Sequence, residues 1–432
     1  MEGLRKEDLF DFKKPLVPPE NPIGDRDESV YFHPVSDCSI YRVPKSIREG
    51  YDKAFGPRLV SLGPFHHHIK DLQTLGHKES YFDDFMRESK LSAQHLFEFI
   101  KGREEAVRKC YAETIELKSD DLVRCILVDA VFIIEILLKN RDCRLVGEND
   151  RIFKKPWLIH DIKFDMLKME NQIPFTILED LLALHQSTRE SGDERLSLGA
   201  LTHEFFKLQL CGITEIADDF AKVSSMKSRH FVDALRNYNL PSMTQSRPNK
   251  KFKSLATPSV MELSQAGVKF HVGSGKSLFN IRFSNGMLEI PKLIIYFGAD
   301  VLFRNLIGFE KCNCYENYIN DYIIFIGLLV HSQEDVEMLV EEGIIRISTW
   351  DSKEVFGLIK SLVKGARFVQ DDFYFSGLCA ELNEYYRIPW HRWKAMLKRD
   401  YFNSPWSVIS VIAAVVLLLL TLVQTVFSVI SK

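Results

Sequence analysis

Hydrophobic positions follow a helical spacing along most of the chain. The strongest run covers 120–139, and its apolar residues predict a buried helix. Helical spacing also covers 76–116 and 162–184, the latter interrupted at Pro174, which cannot continue a helix. The pattern therefore predicts a mainly α fold with one large helical body at 37–402.

Polar segments mark the places where this body begins and where it is interrupted. Residues 1–36 are charged and rich in proline, which predicts a flexible leader. A helix is expected at 201–220, and the polar stretch at 239–254 is the best candidate for a linker or mobile loop.

The spacing changes to alternation in the second half of the chain. Apolar and polar residues alternate in three short runs between 268 and 290, which is typical of strands. Asn285-Gly286 separates two of these runs, and both residues tolerate the positive φ of a tight hairpin. We therefore predict a small antiparallel β-meander near 268–296.

Helical patterns return after the meander. Residues 322–330 predict a buried helix, and the residues at 351–354 resemble a capping box that opens another helix. Residues 373–402 have the spacing of one long amphipathic helix.

An uncharged stretch occupies the carboxyl end of the chain. No charged side chain lies between 407 and 430. As a helix this stretch would reach roughly 36 Å, and a hydrocarbon core is about 30 Å thick. We therefore expect a transmembrane helix at 405–430, and a buried core helix is the alternative. The positions that represent this anchor are Trp406, Ser407, Val416, Leu420, Val426 and Ile430.

The charges beside this stretch predict an orientation. Basic residues are frequent before it, and Lys432 alone follows it. Cytoplasmic flanks are enriched in Lys and Arg, so the prediction is a single-pass protein of the plasma membrane or an endomembrane. Its amino-terminal body would lie in the cytosol, and the lipid bilayer would be one partner.

Composition limits the function classes. The chain has 432 residues, of which 56 are basic and 59 acidic, for a net charge of −3. The charge balance gives no indication of a nucleic-acid partner. The eight cysteines include no CxxC pair, so neither a zinc ribbon nor a redox motif is indicated. Nothing in the sequence indicates a cofactor.

A short glycine-rich segment resembles part of a phosphate-binding loop. Residues 273–277 read GSGKS, but Phe270 occupies the position where a Walker A motif needs its first glycine. The residues that follow alternate like a strand, whereas a phosphate loop opens a helix. We interpret this segment as an exposed hairpin loop.

Two histidine patterns resemble metal sites without completing them. Consecutive side chains diverge, so His66, His67 and His68 rarely converge on one metal ion without further ligands, for which His77 and Asp71 are the nearby candidates. His203 begins a pattern like the HExxH of zinc proteases, but Lys207 replaces the second histidine. The sequence predicts no metal site and assigns no catalytic residue.

Several segments together resemble a known family. The stretch SLGPFHH at 61–67 and the stretch MENQIPF at 169–175 carry the resemblance most clearly. The sequence is similar to the plant family DUF247, also called UPF0481, over about 38–430. The matching segments are 40–44, 60–67, 128–135, 165–175, 262–270, 286–291, 303–310, 393–395 and 401–406.

The resemblance implies a mostly helical plant protein with a carboxyl-terminal membrane anchor, and it brings no established catalytic residue. His68 stands where the family pattern has glycine, and Asp129-Ala130-Val131 replaces a more usual Asp-Gly-Cys. The residues that the resemblance marks as candidates for a site are His66, His67, Glu170, Asn171, Gln172 and Pro174.

Three hypotheses about function remain open on the sequence alone. The leading one is a membrane-tethered protein-binding or signalling module. The second is a hydrolase or transferase of unrecognised type that uses the motif histidines and acids. The third is a recognition component of the self-incompatibility type, because some grass members of the family are linked to that process.

Overall fold

The chain folds as a mainly helical protein, as predicted, with small sheets in its second half. The computed structural model describes residues 6–10, 38–68, 75–188, 195–207, 226–240, 257–274, 277–313, 316–390, 393 and 405–430.

The first part of the described chain is helical. Its helices are α1 Lys6–Phe10, α2 Lys45–Arg48, α3 Asp52–Phe55, α4 Leu75–Ser89, α5 Ala93–Lys101, α6 Glu104–Lys109, α7 Ser119–Arg141, α8 Pro156–Met166, α9 Phe175–Ser187, α10 Leu198–Phe205, α11 Phe231–Asn239 and α12 Val260–Gln265, and a short 3₁₀ helix covers Cys143–Leu145.

Helix α7 forms the centre of this part. It is the strongest helix that the sequence predicts, and its middle is buried on every side, including Asp129 and Glu135. Helices α4, α5, α9 and α10 pack around it. Because the middle of α7 has no solvent face, bulk water does not solvate the charged groups that it carries there.

The predicted break at Pro174 is confirmed. Helix α8 ends at Met166, α9 begins at Phe175, and Pro174 precedes its first turn. The intervening residues 167–174 are all buried. The most distinctive motif of the sequence therefore lies in a buried connection between two helices.

The predicted meander is correct in its hairpin and wrong in its overall pairing. Strands β2 Arg282–Ser284 and β3 Met287–Pro291 are antiparallel. The hairpin turn uses positive φ at Asn285 (51°) and Gly286 (75°). However, β1 Lys269–Gly273 pairs in parallel with the other side of β3.

The parallel pairing has a physical reason. Leu278 and Phe279, in the connection from β1 to β2, are buried in the core. Their burial carries the chain past β3, so β1 and β2 are not neighbours. Strand β4 Leu293–Ile295 also leaves the predicted meander and pairs in parallel with β5 Ile345–Ile347 in a separate sheet.

The remaining helices complete the body. They are α13 Ala299–Asn313, α14 Tyr318–Leu329, α15 Gln333–Glu341, α16 Ser352–Gly365 and α17 Ser376–Arg387, with a 3₁₀ helix at Gln370–Asp372. The predicted buried helix lies within α14, and the predicted capping box at the start of α16 is present. The helix predicted at 373–402 begins at Ser376 and α17 ends at Arg387, two residues before Pro389, which restricts the residue before it.

Helix α18, Pro405–Ile430, is the final element. Among the residues that the structure describes, no helix combines the length and the apolar character that crossing a membrane requires. This finding corrects the prediction of a transmembrane helix at 405–430.

The six residues that represented the predicted anchor divide into two groups. The side chains of Val416, Leu420, Val426 and Ile430 are exposed on this helix. Those of Trp406 and Ser407 are not among the side chains that the structure describes.

Other predictions fall partly outside the described chain. Within the predicted leader, Leu9 of α1 is buried and the neighbouring Phe10 contacts Phe82 with its ring, whereas 11–36 lie outside. Most of the predicted linker at 239–254 and the second half of the predicted helix at 201–220 also lie outside.

Candidate functional site

Glu170 lies at the centre of the candidate site and is fully buried. Its Oε1 accepts hydrogen bonds from the backbone N–H of Val43 (2.7 Å) and from the Arg48 guanidinium. Its Oε2 lies 3.1 Å from Nε2 of His66. Burial raises the pKa of Glu170, but the hydrogen bonds from His66 and Arg48 outweigh burial and bring that pKa to about 2. Glu170 is therefore an ionised carboxylate with both oxygens occupied.

Asn171 holds the stretch before the histidine run in place. Its Oδ1 accepts a hydrogen bond from the backbone N–H of Leu62 (2.7 Å). Its Nδ2 donates to the carbonyl oxygens of Val60 and Asp165, each at 3.0 Å. One amide side chain thus pairs three backbone groups of segments that are about 110 residues apart in sequence.

Gln172 closes the connection between α8 and α9. Its Nε2 donates to the carbonyl oxygens of Met166 and Lys168, each at 2.7 Å. Its Oε1 accepts from the backbone N–H of Phe231 at 3.0 Å. Pro174 follows as the residue that sets the start of α9. Gln172 and Pro174 therefore shape the backbone, and neither presents a reactive group to solvent.

The SLGPFHH stretch crosses the connection between α8 and α9 at Gly63, where only glycine fits. Its φ is +71°, and a Cβ there would lie 2.6 Å from the carbonyl oxygen of Gln172. That oxygen also accepts a hydrogen bond from the Tyr111 hydroxyl (3.0 Å), and the Gly63 N–H donates to Asp129 Oδ2 (2.8 Å). The two family-like motifs are therefore in direct backbone contact, which leaves no space for a side chain.

Two buried ion pairs flank the motif residues. Lys78 donates to Asp129 Oδ1, and Lys168 donates to Asp165 Oδ1 at 2.9 Å. The Asp165 carboxylate also accepts from the backbone N–H groups of 58–60. Burial raises the pKa of Asp129 against the effect of Lys78, and burial lowers the pKa of Lys168. In both pairs, each buried charge therefore contacts an opposite charge and makes hydrogen bonds.

The histidine run does not form one centre. His66 is buried beside Glu170, whereas Nδ1 of His67 lies 2.9 Å from the carbonyl oxygen of Pro64. The His67 and His68 rings meet edge to face, with their centroids 5.8 Å apart. Of the six predicted candidates, the structure brings His66 and Glu170 into contact and gives the others separate backbone partners.

Sequence reasoning missed several members of this network. Arg48 lies in the four-residue helix α2, and its contact with Glu170 spans 122 residues of sequence. Lys78 lies 51 residues from Asp129. No spacing rule connects partners that are so distant, so no signal in the sequence marks them.

The two incomplete motifs do not form sites in the described chain. Gly273 ends β1, and β2 rather than a helix follows the turn after it, as the alternation predicts. The predicted hairpin loop is wrong, because β1 and β2 both pair with β3 and not with each other. His203 is buried edge to face against Tyr238, while Glu204 pairs with Arg141 on the surface. The phosphate-loop and zinc-protease interpretations therefore gain no support.

A surface cleft of about 300 Å³ lies beside α2, α13 and α16. Arg304 lies in this cleft with its guanidinium over the Tyr51 ring, 3.4 Å from the centroid. The same guanidinium donates to Asp300 (2.6 Å) and to the Ser361 hydroxyl (2.8 Å). These contacts show that Arg304 joins α13 to α16.

A second surface combines exposed aromatic and basic side chains around α8. Trp157 and Phe297 are each 58% exposed, although large aromatic side chains are usually buried. Phe297 packs edge to face on Phe164, which also contacts the exposed ring of His160. We call this the basic–aromatic surface, and its members are Arg151, Lys154, Lys155, Trp157, His160 and Phe297, all exposed.

Comparison with known proteins gives the family. The sequence model of DUF247, described as "Plant protein of unknown function", matches residues 40–420. The UPF0481 protein At3g47200 of Arabidopsis thaliana is 29% identical over 423 residues, which cover 91% of this chain and 87% of that protein. A second protein of that plant, the putative UPF0481 protein At3g02645, is 22% identical over an alignment that covers 89% of this chain and 89% of that protein. No solved structure matches the chain. Because the family match extends over most of the sequence, this chain belongs to the DUF247 family of plant proteins.

Proposed function

We propose that this protein is a protein-binding module whose family motifs build a rigid frame and whose basic–aromatic surface contacts the partner. The observation that carries the proposal is the exposure of two large aromatic side chains, Trp157 on α8 and Phe297 on the turn that packs against Phe164 of α8. Tryptophan and other aromatic residues supply a large share of the energy at protein–protein contacts.

The base of this surface is rigid. Phe164 is buried, and its ring packs directly on Gly298, the residue after Phe297. Helix α8 begins with Pro156 at its first position, which fixes the backbone just before Trp157. An aromatic residue held in one place loses little conformational entropy when a partner binds, which favours affinity.

The charge around the aromatic residues indicates the chemistry of the partner. Arg151, Lys154 and Lys155 are exposed immediately before Trp157. A protein segment with apolar side chains next to Asp or Glu residues fits this arrangement, because opposite charges raise the rate of encounter and fix the orientation.

The motif residues support the same function indirectly. The oxygens of Glu170 and the amides of Asn171 and Gln172 are bonded to the protein's own groups. A catalytic base needs a free lone pair within reach of a substrate. Because these polar groups are bonded within the protein, they support a structural frame rather than the hydrolase or transferase alternative.

Photo-cross-linking tests this proposal. A benzophenone amino acid replaces Trp157 in one full-length protein and Met261 in a control, since Met261 is also exposed but lies on α12. After irradiation in plant extract, we expect a discrete adduct from residue 157 that excess unlabelled protein competes away. The charge reversal Lys155→Glu should reduce the yield at least about fivefold.

The outcomes separate binding from incidental contact. Equal adduct patterns from residues 157 and 261, or an adduct at 157 that persists unchanged in Lys155→Glu, would overturn the proposal. Adducts with lipid instead of protein at residue 157 would also contradict it.

A further inference from the structure

Helices α4, α7 and α9 bring a histidine and two carboxylates together. Glu88 is near the end of α4, Glu135 lies in the middle of α7, and His185 is in the last turn of α9. One potential ligand atom from each residue lies within 4.8 Å of the other two. His185 Nε2 and Glu88 Oε2 are 3.9 Å apart. The cluster therefore joins residues that are nearly 100 positions apart in sequence.

Glu135 is the unusual member of this cluster. Its side chain is fully buried, and neither carboxylate oxygen has a hydrogen-bond partner within the described chain. Asp129, six residues earlier on the same helix, is by contrast bonded to Lys78 and to the N–H of Gly63. A buried carboxylate without partners costs several kcal/mol and requires an explanation.

The charges around Glu135 leave a local negative excess. Lys139 lies one helical turn further on, but its ammonium donates to Asp84 (2.6 Å) and Asp150 (3.2 Å). Arg87 on α4 also donates to Asp84. Within the described chain, the carboxylates of Asp84, Glu135 and Asp150 thus share two cationic side chains, Lys139 and Arg87. When all three are ionised one negative charge is in excess, which a cation bound at Glu135 would neutralise.

We propose that Glu88, Glu135 and His185 form a binding site for a divalent transition-metal ion of the zinc type. One imidazole nitrogen with carboxylate oxygens is a ligand set that zinc, iron and manganese accept. Bonds of about 2.0–2.2 Å to a tetrahedral ion place ligand atoms about 3.3–3.6 Å apart. A contraction of less than about 1.5 Å from the present separations would therefore close the site around the ion.

The surroundings suit such a site. The Phe85 ring, 4.9 Å from the His185 ring, limits the movement of the imidazole. The Glu88 side chain is 19% exposed, so it leaves a path for an ion and a position for a water ligand. Metal sites in helical bundles are commonly built in this way from inward side chains on facing helices. The ion would join α4, α7 and α9 and stabilise the packing around them.

Metal titration of the full-length protein tests the site. After removal of metal with a chelator, calorimetry with Zn²⁺ should show one tight site per chain and a rise in melting temperature. Glu135→Gln should weaken binding at least about tenfold, or about 1.4 kcal/mol, and abolish the rise. The same variant without metal should melt higher than the wild type, because the substitution removes an uncompensated buried charge. His185→Gln tests a second ligand, and Glu98→Gln on the neighbouring α5 is the matched exposed control.

Substitution of Co²⁺ for Zn²⁺ adds a readout of the ligands. The absorption of bound Co²⁺ should show low-symmetry coordination in the wild type and in Glu98→Gln, and lose it in the Glu135 and His185 variants. No tight site in the wild type, or equal Zn²⁺ affinity in the wild type, Glu135→Gln and His185→Gln, would overturn the proposal.

Discussion

The Phe164 ring occupies the space where a side chain of residue 298 would begin. A Cβ added to Gly298 would lie 1.7 Å from Cε1 of Phe164. This contact fixes the turn that carries Phe297 against α8 and joins the second half of the chain to the first. The exposed aromatic residues thus depend on a glycine for their position.

Gly298→Ala should therefore destabilise the protein by about 1–3 kcal/mol, because the Phe164 ring must move to admit a methyl group. Urea denaturation measures the change. Gly357→Ala is the control, since a Cβ at this position in α16 meets nothing within 4 Å. Alanine is the better helix former, so the control should be stabilised by up to about 1 kcal/mol. Equal effects of the two substitutions would contradict the close packing.

Glu170→Gln should lower the free energy of unfolding by about 3 kcal/mol near neutral pH. The substitution removes the buried carboxylate that pairs with Arg48 and leaves that guanidinium with only the exposed carboxylate of Asp52, 3.6 Å away. Glu116→Gln, an exposed position, should change stability by less than about 0.5 kcal/mol. A Glu170 variant as stable as this control would show that the pair has no structural role.

The contribution of Glu170 should also depend on pH. Its pKa is about 2 in the folded protein and 4.5 in its reference state, so the folded state favours the ionised form. The stabilisation is fully present above about pH 4.5 and is lost as pH falls toward 2. The stability difference between the wild type and Glu170→Gln should thus shrink as unfolding is measured from pH 6 down to pH 3. A stability difference that grows as the pH falls would contradict a lowered pKa of Glu170.

Lys78 and Asp129 should behave as a coupled buried pair. Lys78→Met leaves the Asp129 carboxylate buried without its cation, at a cost of about 3–5 kcal/mol. The double variant Lys78→Met with Asp129→Asn should be less destabilised than the sum of the single variants. Additive effects in this double-mutant cycle would indicate that the two charges do not interact.

Glu135 should show the opposite pH dependence to Glu170. Burial, together with the charge of Glu88, raises the pKa of Glu135 from 4.5 to about 8. In metal-free protein the penalty of ionising it is absent below about pH 4.5, builds up as pH rises and is complete above about pH 8. The stability advantage of Glu135→Gln over the wild type should thus grow between pH 5 and 8, by at most about 1.4 kcal/mol per pH unit. An advantage that is constant over this range would contradict a raised pKa.

The sequence predicted the parts of the fold that depend on local pattern. The buried helix α7, the break at Pro174, the capping box at Asp351 and the turn at Asn285-Gly286 each follow from neighbouring residues. The parallel pairing of β1 with β3 was missed, because pairing depends on where the buried connection carries the chain.

The candidate site was predictable only in part, for a related reason. The MENQIPF stretch stood out as a motif, and each of its polar residues does accept a hydrogen bond from a distant segment of the chain. The partners Arg48, Lys78 and Phe231 come from distant segments, so no spacing in the sequence marks them. The apolar stretch at the carboxyl end was interpreted from its length and lack of charge, and the described helix does not support that interpretation.

The central claim is that the buried motif residues stabilise the protein, whereas the basic–aromatic surface contacts the partner. Measuring stability and partner contact on the same variants tests this claim most directly. A photo-cross-linker at residue 297 is combined with Glu170→Gln or with Lys155→Glu, and both are compared with the unchanged background in buffer where all three are folded. We predict that Glu170→Gln lowers the free energy of unfolding and leaves the cross-link yield unchanged, whereas Lys155→Glu lowers the yield at least about fivefold with stability unchanged. Loss of the cross-link in folded Glu170→Gln, with Lys155→Glu unaffected, would contradict this account.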